Sequence, residues 1–114
     1  MTIGDIQSIL GAELLCGGAL LDTEVHSACG SDLMSDVLAF VKDQSVLLTG
    51  LNNPQVVRTA EMMDIVCIVF VRGKTPDPQV VELADQRGIV VMKTDLRLYP
   101  ACGKLYAGGL IGNS

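Results

Sequence analysis

The sequence predicts an α/β domain with a mostly parallel sheet of about five strands and helices on its faces. Five short segments rich in Val, Ile and Leu recur along the chain, and helical patterns separate most of them. From residue 45 onward the order is strand, helix, strand, helix, strand, helix, with connections long enough for right-handed parallel crossovers. A length of 114 residues holds one domain, expected to cover 1–114, and 49% hydrophobic residues with only 4% aromatics mean an aliphatic core.

Thr2, Asp5 and the apolar Ile6, Ile9 and Leu10 mark a short helix ended by Gly11. A threonine hydroxyl accepts from an early helix N–H, and an acid complements the positive end of the helix dipole. Residues 13–16 are a first strand candidate and 24–29 a second, separated by the Gly17-Gly18 break. The link 17–23 is too short for a parallel crossover, so these two strands are antiparallel or not adjacent.

Ser31 and Asp32 then open a helix as cap and first-turn acid, with Leu33, Met34, Val37, Leu38 and Val41 on its apolar face. Residues 45–49 read as a buried strand and 50–53 as a loop. Asn53 caps the next helix, Pro54 suits its first position, and Val56, Val57, Ala60 and Met63 form its inner stripe. Residues 65–71 are the most hydrophobic run and predict a central strand covered on both faces. After the exit loop Arg72-Gly73-Lys74, Pro76-Asp77-Pro78 starts a helix with Val80, Val81, Leu83 and Ala84 inside and Gly88 as its stop. Residues 89–92 are the last strand. Thr94-Asp95 opens a final helix through Leu98, Cys102, Leu105 and Tyr106, closed by Gly108-Gly109.

The balance of 8 Lys+Arg against 13 Asp+Glu gives a net charge of -5, which repels polyanions, so no nucleic-acid partner is expected. No apolar run reaches the roughly 18 residues a membrane span needs, and Met1-Thr2-Ile3-Gly4-Asp5 lacks the basic start and apolar stretch of a signal peptide. The expectation is a cytoplasmic protein with no membrane partner. Cys16, Cys29, Cys67 and Cys102 are scattered and His26 is the one histidine, a pattern that predicts neither a metal site nor a cofactor. Cys67 reads as a buried small hydrophobe, and His26 and Cys29 fall on opposite faces of a regular strand. Asp32 and Asp36, one helical turn apart, read as dipole complements ahead of cation ligands. The chain contains no phosphate-loop, dinucleotide, nucleophile-elbow or zinc-protease motif, so no catalytic residue is expected.

Ligands of such sheets bind beyond the carboxyl ends of the strands. There the sequence offers Ser31 and Asp32; Thr49, Gly50, Asn52 and Asn53; Arg72, Gly73 and Lys74; and Lys93 and Thr94. Taken singly, Ser31, Asn53 and Thr94 read as helix caps, Gly50 and Gly73 as turn residues, and Arg72 and Lys74 as solvated loop charges. Taken together they form one polar, glycine-rich, locally basic rim suited to a phosphate or another small anion.

Three stretches resemble the DRTGG domain: residues 28–39 (Ala-Cys-Gly-Ser-Asp-Leu-Met-Ser-Asp-Val-Leu-Ala), 47–57 (Leu-Leu-Thr-Gly-Leu-Asn-Asn-Pro-Gln-Val-Val) and 88–94. Domains of this family occur alone, inside phosphotransacetylases, and between the CBS modules of some inorganic pyrophosphatases, and they are related to the N-terminal domain of HPr kinase/phosphorylase. The resemblance spans nearly the whole chain and implies a three-layer α/β/α fold like that N-terminal domain, with a regulatory or scaffolding role and no known catalytic residue. The five-residue sequence that names the family does not occur here, and the loop 50–53 stands in its place.

The expected function is a non-catalytic regulatory or ligand-sensing domain, a homodimer that binds a nucleotide or small anionic metabolite at the rim. Low charge supports the dimer, because one sheet leaves apolar helix face uncovered. The alternative is an assembly module for a larger enzyme partner with no small-molecule ligand. A third reading is an enzyme acting on a phosphorylated substrate through Asn52, Arg72 and Lys74.

Overall fold

The computed structural model describes residues 1–40 and 43–111. Helix α1 (Ile3–Leu10) begins at a reciprocal cap. The Thr2 hydroxyl accepts from the Asp5 N–H at 3.1 Å, and the Asp5 carboxylate accepts from the Thr2 N–H at 2.9 Å. Gly11 closes the helix in the left-handed region, at φ 58°. Strand β1 (Glu13–Cys16) follows, and then a single 3-10 turn, Gly18–Leu20.

Strand β2 (Ser27–Gly30) starts later than the sequence suggests. Residues 24 and 25 pair with the N-terminus instead: Glu24 bridges Thr2, and the Val25 N–H donates to the Met1 carbonyl at 2.7 Å. The remaining elements are α2 (Met34–Phe40), β3 (Ser45–Thr49), α3 (Pro54–Met62), β4 (Ile65–Phe70), α4 (Pro78–Gln86), β5 (Val90–Lys93) and α5 (Leu98–Ala107).

The sheet has five strands in the order β1-β5-β4-β3-β2. The pairs β2/β3, β3/β4 and β4/β5 are parallel, and β1 runs antiparallel to β5. Strands β1 and β2, neighbours in sequence, therefore lie at opposite edges, which decides between the two arrangements left open by their short link. The most hydrophobic segment is the central strand, as predicted.

Alternation along β4 shows the layers. Cys67 and Val69 face a cluster with Ile3, Ile6 and Leu10 of α1 and Ala101 and Leu105 of α5. Ile65, Ile68 and Phe70 face a second cluster with Val37 of α2, Val56, Val57 and Ala60 of α3, and Val80 and Ala84 of α4. A three-layer α/β/α sandwich results. Burial of each Val, Ile, Leu or Phe side chain contributes roughly 1.5–3 kcal/mol.

Two helix starts differ from the sequence reading. Helix α2 begins at Met34, so Ser31 does not cap it and Asp32 precedes it. Of its predicted apolar face Met34 and Val37 are buried, whereas Leu33 and Leu38 are 57% and 44% exposed and Val41 lies outside the described residues. The cause is tertiary: the Asp32 carboxylate is held by the next loop, and the chain must complete a turn before the helix can start. Helix α5 begins at Leu98, capped by Arg97 with no side-chain hydrogen bond, because Thr94 is engaged elsewhere.

Candidate rim site at the strand carboxyl ends

Each parallel strand delivers its exit loop to the same end of the sheet, and hydrogen bonds tie these loops together. The β2 exit runs on beside β3, with the Ser31 N–H donating to the Leu48 carbonyl at 3.0 Å. This delivers Asp32 to the β3 exit. There Asp32 Oδ1 accepts from the Gly50 N–H at 2.6 Å and from the Thr49 hydroxyl at 3.2 Å. Asp32 Oδ2 lies 3.7 Å from the Arg72 guanidinium on the β4 exit.

Arg72 adopts φ 65°, a left-handed conformation uncommon for a side-chain-bearing residue. Backbone bonds to the β5 exit hold it there: the Arg72 N–H donates to the Leu96 carbonyl at 2.7 Å and the Gly73 N–H to the Thr94 carbonyl at 2.9 Å. The guanidinium lies over Gly50, reaching its carbonyl at 3.5 Å. A Cβ at position 50 would stand 2.0 Å from an Arg72 nitrogen, so the arginine's place depends on glycine there.

The structure thus brings Asp32, Thr49, Gly50 and Arg72 into direct contact. Asn52 joins through Asp77: the Asp77 N–H donates to Asn52 Oδ1 at 3.0 Å, and the Asn52 amide faces the Asp77 carboxylate at 3.4 Å. Asn53 caps α3, accepting from the Gln55 N–H at 2.8 Å, and Ser31 closes a local turn by accepting from the Leu33 N–H at 3.0 Å. Lys93 reaches the Thr75 hydroxyl at 3.0 Å, and Lys74 is exposed beside Gly73. Thr94 shares the end of the sheet but turns its hydroxyl the other way: it is buried and donates to the Leu10 carbonyl at 2.9 Å, pinning α1. Asp77 and Thr75 were missed by sequence reasoning. Asn52 and Asp77 are 25 residues apart, and no local pattern announces their contact.

Asp32 and Asp36 do not share a helix face, because Asp32 lies in the turn before α2. His26 Nδ1 pairs with the Asp43 carboxylate at 3.1 Å on the surface. Burial pushes the Cys16, Cys29 and Cys102 thiols up, and the fully buried Cys67 furthest. None of the four has the depressed pKa of an activated nucleophile.

The concave surfaces lie elsewhere. An apolar cavity of about 150 Å³ beneath β2 is lined by Ala28, Gly30, Leu48, Cys102 and Leu105. A more open groove of about 490 Å³ between β1 and α4 is lined by Leu15, Cys16, Pro76 and Val81. Asp32, Thr49, Gly50 and Arg72 line neither, and Thr75 lines the second. The chemistry of the rim cluster is that of a polar surface presenting a backbone N–H, a hydroxyl and a guanidinium to a carboxylate, a donor set that serves oxyanions generally.

The sequence profile of the DRTGG domain matches residues 5–105. No curated protein sequence matches. A solved structure with a similar fold is that of the CBS and DRTGG domains of the regulatory region of the Clostridium perfringens pyrophosphatase, complexed with its activator diadenosine tetraphosphate. The TM-score is 0.69 at 14% identity, and the match covers 91% of the present chain. The chain spans 45% of the length of that relative.

Proposed function

The chain belongs to the DRTGG domain family, and from that premise we propose that it is a non-catalytic regulatory domain that senses a small anionic ligand, such as a nucleotide, at its rim. The observation that carries the reading is the convergence of the β2, β3 and β4 exits on one set of anion-binding donors around Arg72. Exposed Lys74 adds positive charge beside it on a chain of net charge -5. The similar pyrophosphatase region, a regulatory region bound to a nucleotide activator, supports a regulatory role.

The domain works as a homodimer. Support comes from the outer face of α5, where Tyr99 and Tyr106 are 89% and 63% exposed next to Pro100, Gly103 and Ala107, an uncharged patch on an acidic molecule. Such a surface can meet its own copy with no like charges facing each other across the seam. The four unpaired thiols fit a reducing, cytoplasmic setting.

Isothermal titration of the full chain with ATP, ADP, AMP, diadenosine tetraphosphate and inorganic phosphate tests the sensing role. Saturable binding is expected, and its loss in Arg72→Ala/Lys74→Ala. No heat and no thermal shift from any of these anions overturns it. The same apolar α5 face favours a second reading, an assembly module that docks a larger enzyme. Light scattering separates the two: a dimer disrupted by Tyr99→Ser/Tyr106→Ser supports self-association, and a monomer with no anion affinity leaves the docking role.

A further inference from the structure

We infer that the rim's oxyanion site is already occupied by the chain's own Asp32 carboxylate, and that an external phosphate group binds by displacing it. This rests on the rim reading above and specifies how the rim works. Asp32 Oδ1 is held as the oxygen of a bound oxyanion would be, by the Gly50 N–H and the Thr49 hydroxyl, and Oδ2 faces the Arg72 guanidinium at 3.7 Å.

Donors and acceptor differ in how they are anchored. The donors stand on strand ends locked into the sheet: the Val71 N–H bonds the Thr49 carbonyl at 3.0 Å, and Arg72 and Gly73 bond the β5 exit. Asp32 stands in the short turn between β2 and α2; its side chain is 49% exposed against 46% for Arg72, so the difference lies in the backbone that carries each. Moving it requires rotation in that turn, with no loss of sheet pairing.

Charge points the same way. With Asp32 in place the Arg72 charge is compensated. When Asp32 leaves, the Arg72 guanidinium, the Thr49 hydroxyl and the Gly50 N–H lose their shared acceptor, and exposed Lys74 follows two residues after Arg72. A phosphate monoester or inorganic phosphate offers more acceptor oxygens than a carboxylate and can replace it. The displaced residue lies two positions before α2, next to exposed Leu33.

The experiment compares wild type, Asp32→Ser and Asp32→Asn, with inorganic phosphate and AMP as separate probes. Calorimetry gives affinity, the Gly50 amide NMR shift gives location, and thermal unfolding verifies that each variant is folded. Asp32→Asn keeps the shape of the side chain should Asp32→Ser fail to fold. Removal of the internal competitor is expected to tighten phosphate binding at least about tenfold, because a charged hydrogen bond and an ion pair no longer compete. The Gly50 amide shifts on binding, and Arg72→Ala abolishes it. Phosphate tightening alone marks a general oxyanion site, and tightening for AMP only marks a nucleotide site; either supports exchange. Equal or weaker affinity in folded variants overturns exchange, and if Arg72→Ala still abolishes wild-type binding the rim reading survives. Absence of binding to any of these proteins overturns both.

Discussion

Gly50→Ala isolates the rim from the fold. Position 50 is outside the left-handed region, so alanine meets no backbone strain. Its new Cβ, however, would lie 2.0 Å from one guanidinium nitrogen, 2.7 Å from Cζ and 2.9 Å from Nε of Arg72. The far end of a flexible side chain yields before the backbone does, so Arg72 swings into solvent. What is lost is a 3.5 Å hydrogen bond to the Gly50 carbonyl and a 3.7 Å ion pair whose partners are 46% and 49% exposed. Contacts this long and this wet contribute about 0–1 kcal/mol. Alanine returns about 0.4–1 kcal/mol by restricting the unfolded chain. The net change in stability is therefore within about 1 kcal/mol, a shift in Tm of no more than about 8 °C. Under the proposed function anion binding needs the guanidinium in place, and it is expected to fall at least about tenfold. Thermal unfolding and phosphate titration on one sample check both halves. A larger fall in Tm, or unchanged phosphate affinity, would refute the reasoning.

Three further outcomes are expected. Gly30→Ala puts a Cβ 2.5 Å from the Cys102 sulfur and costs about 1–3 kcal/mol by overpacking; Cys102→Ala in the same chain recovers at least half, which a urea-unfolding double-mutant cycle measures. In thiol labelling with a disulfide reagent, Cys67 stays unreacted until the protein is denatured. Cys16, Cys29 and Cys102 react more slowly at pH 7 than a free cysteine, because burial raises their pKa and lowers the thiolate fraction, and they speed up as pH rises. The Asp5 carboxyl is held below its ordinary value of 3.8 by the Thr2 backbone N–H and hydroxyl. Its stabilising contribution is complete above about pH 4 and disappears as pH falls through the lower folded value. The stability gap between wild type and Asp5→Asn, read by urea unfolding from pH 6 to pH 2.5, therefore closes at the acid end.

Much of the fold was legible because its signals are local. The Thr2/Asp5 cap, the Asn53-Pro54 helix start and the apolar run of β4 each depend on residues within a few positions of one another. The rim was legible as a set of loops, since a parallel sheet brings its strand exits to one end. Individual roles within it were not. Asp32 reads in sequence as a helix acid and Thr94 as a cap, yet Asp32 bonds a loop 18 residues on and Thr94 a carbonyl 84 residues back.

The sequence by itself determined the elements, their winding from residue 45 onward and the aliphatic core, since periodicity and capping are properties of adjacent residues. The tertiary structure decided which strands became edges, where α2 and α5 begin, and that a carboxylate from one loop fills the donor set of two others. Those outcomes depend on contacts between residues far apart in the chain, where a side chain's partner is set by packing and carries no local pattern to read.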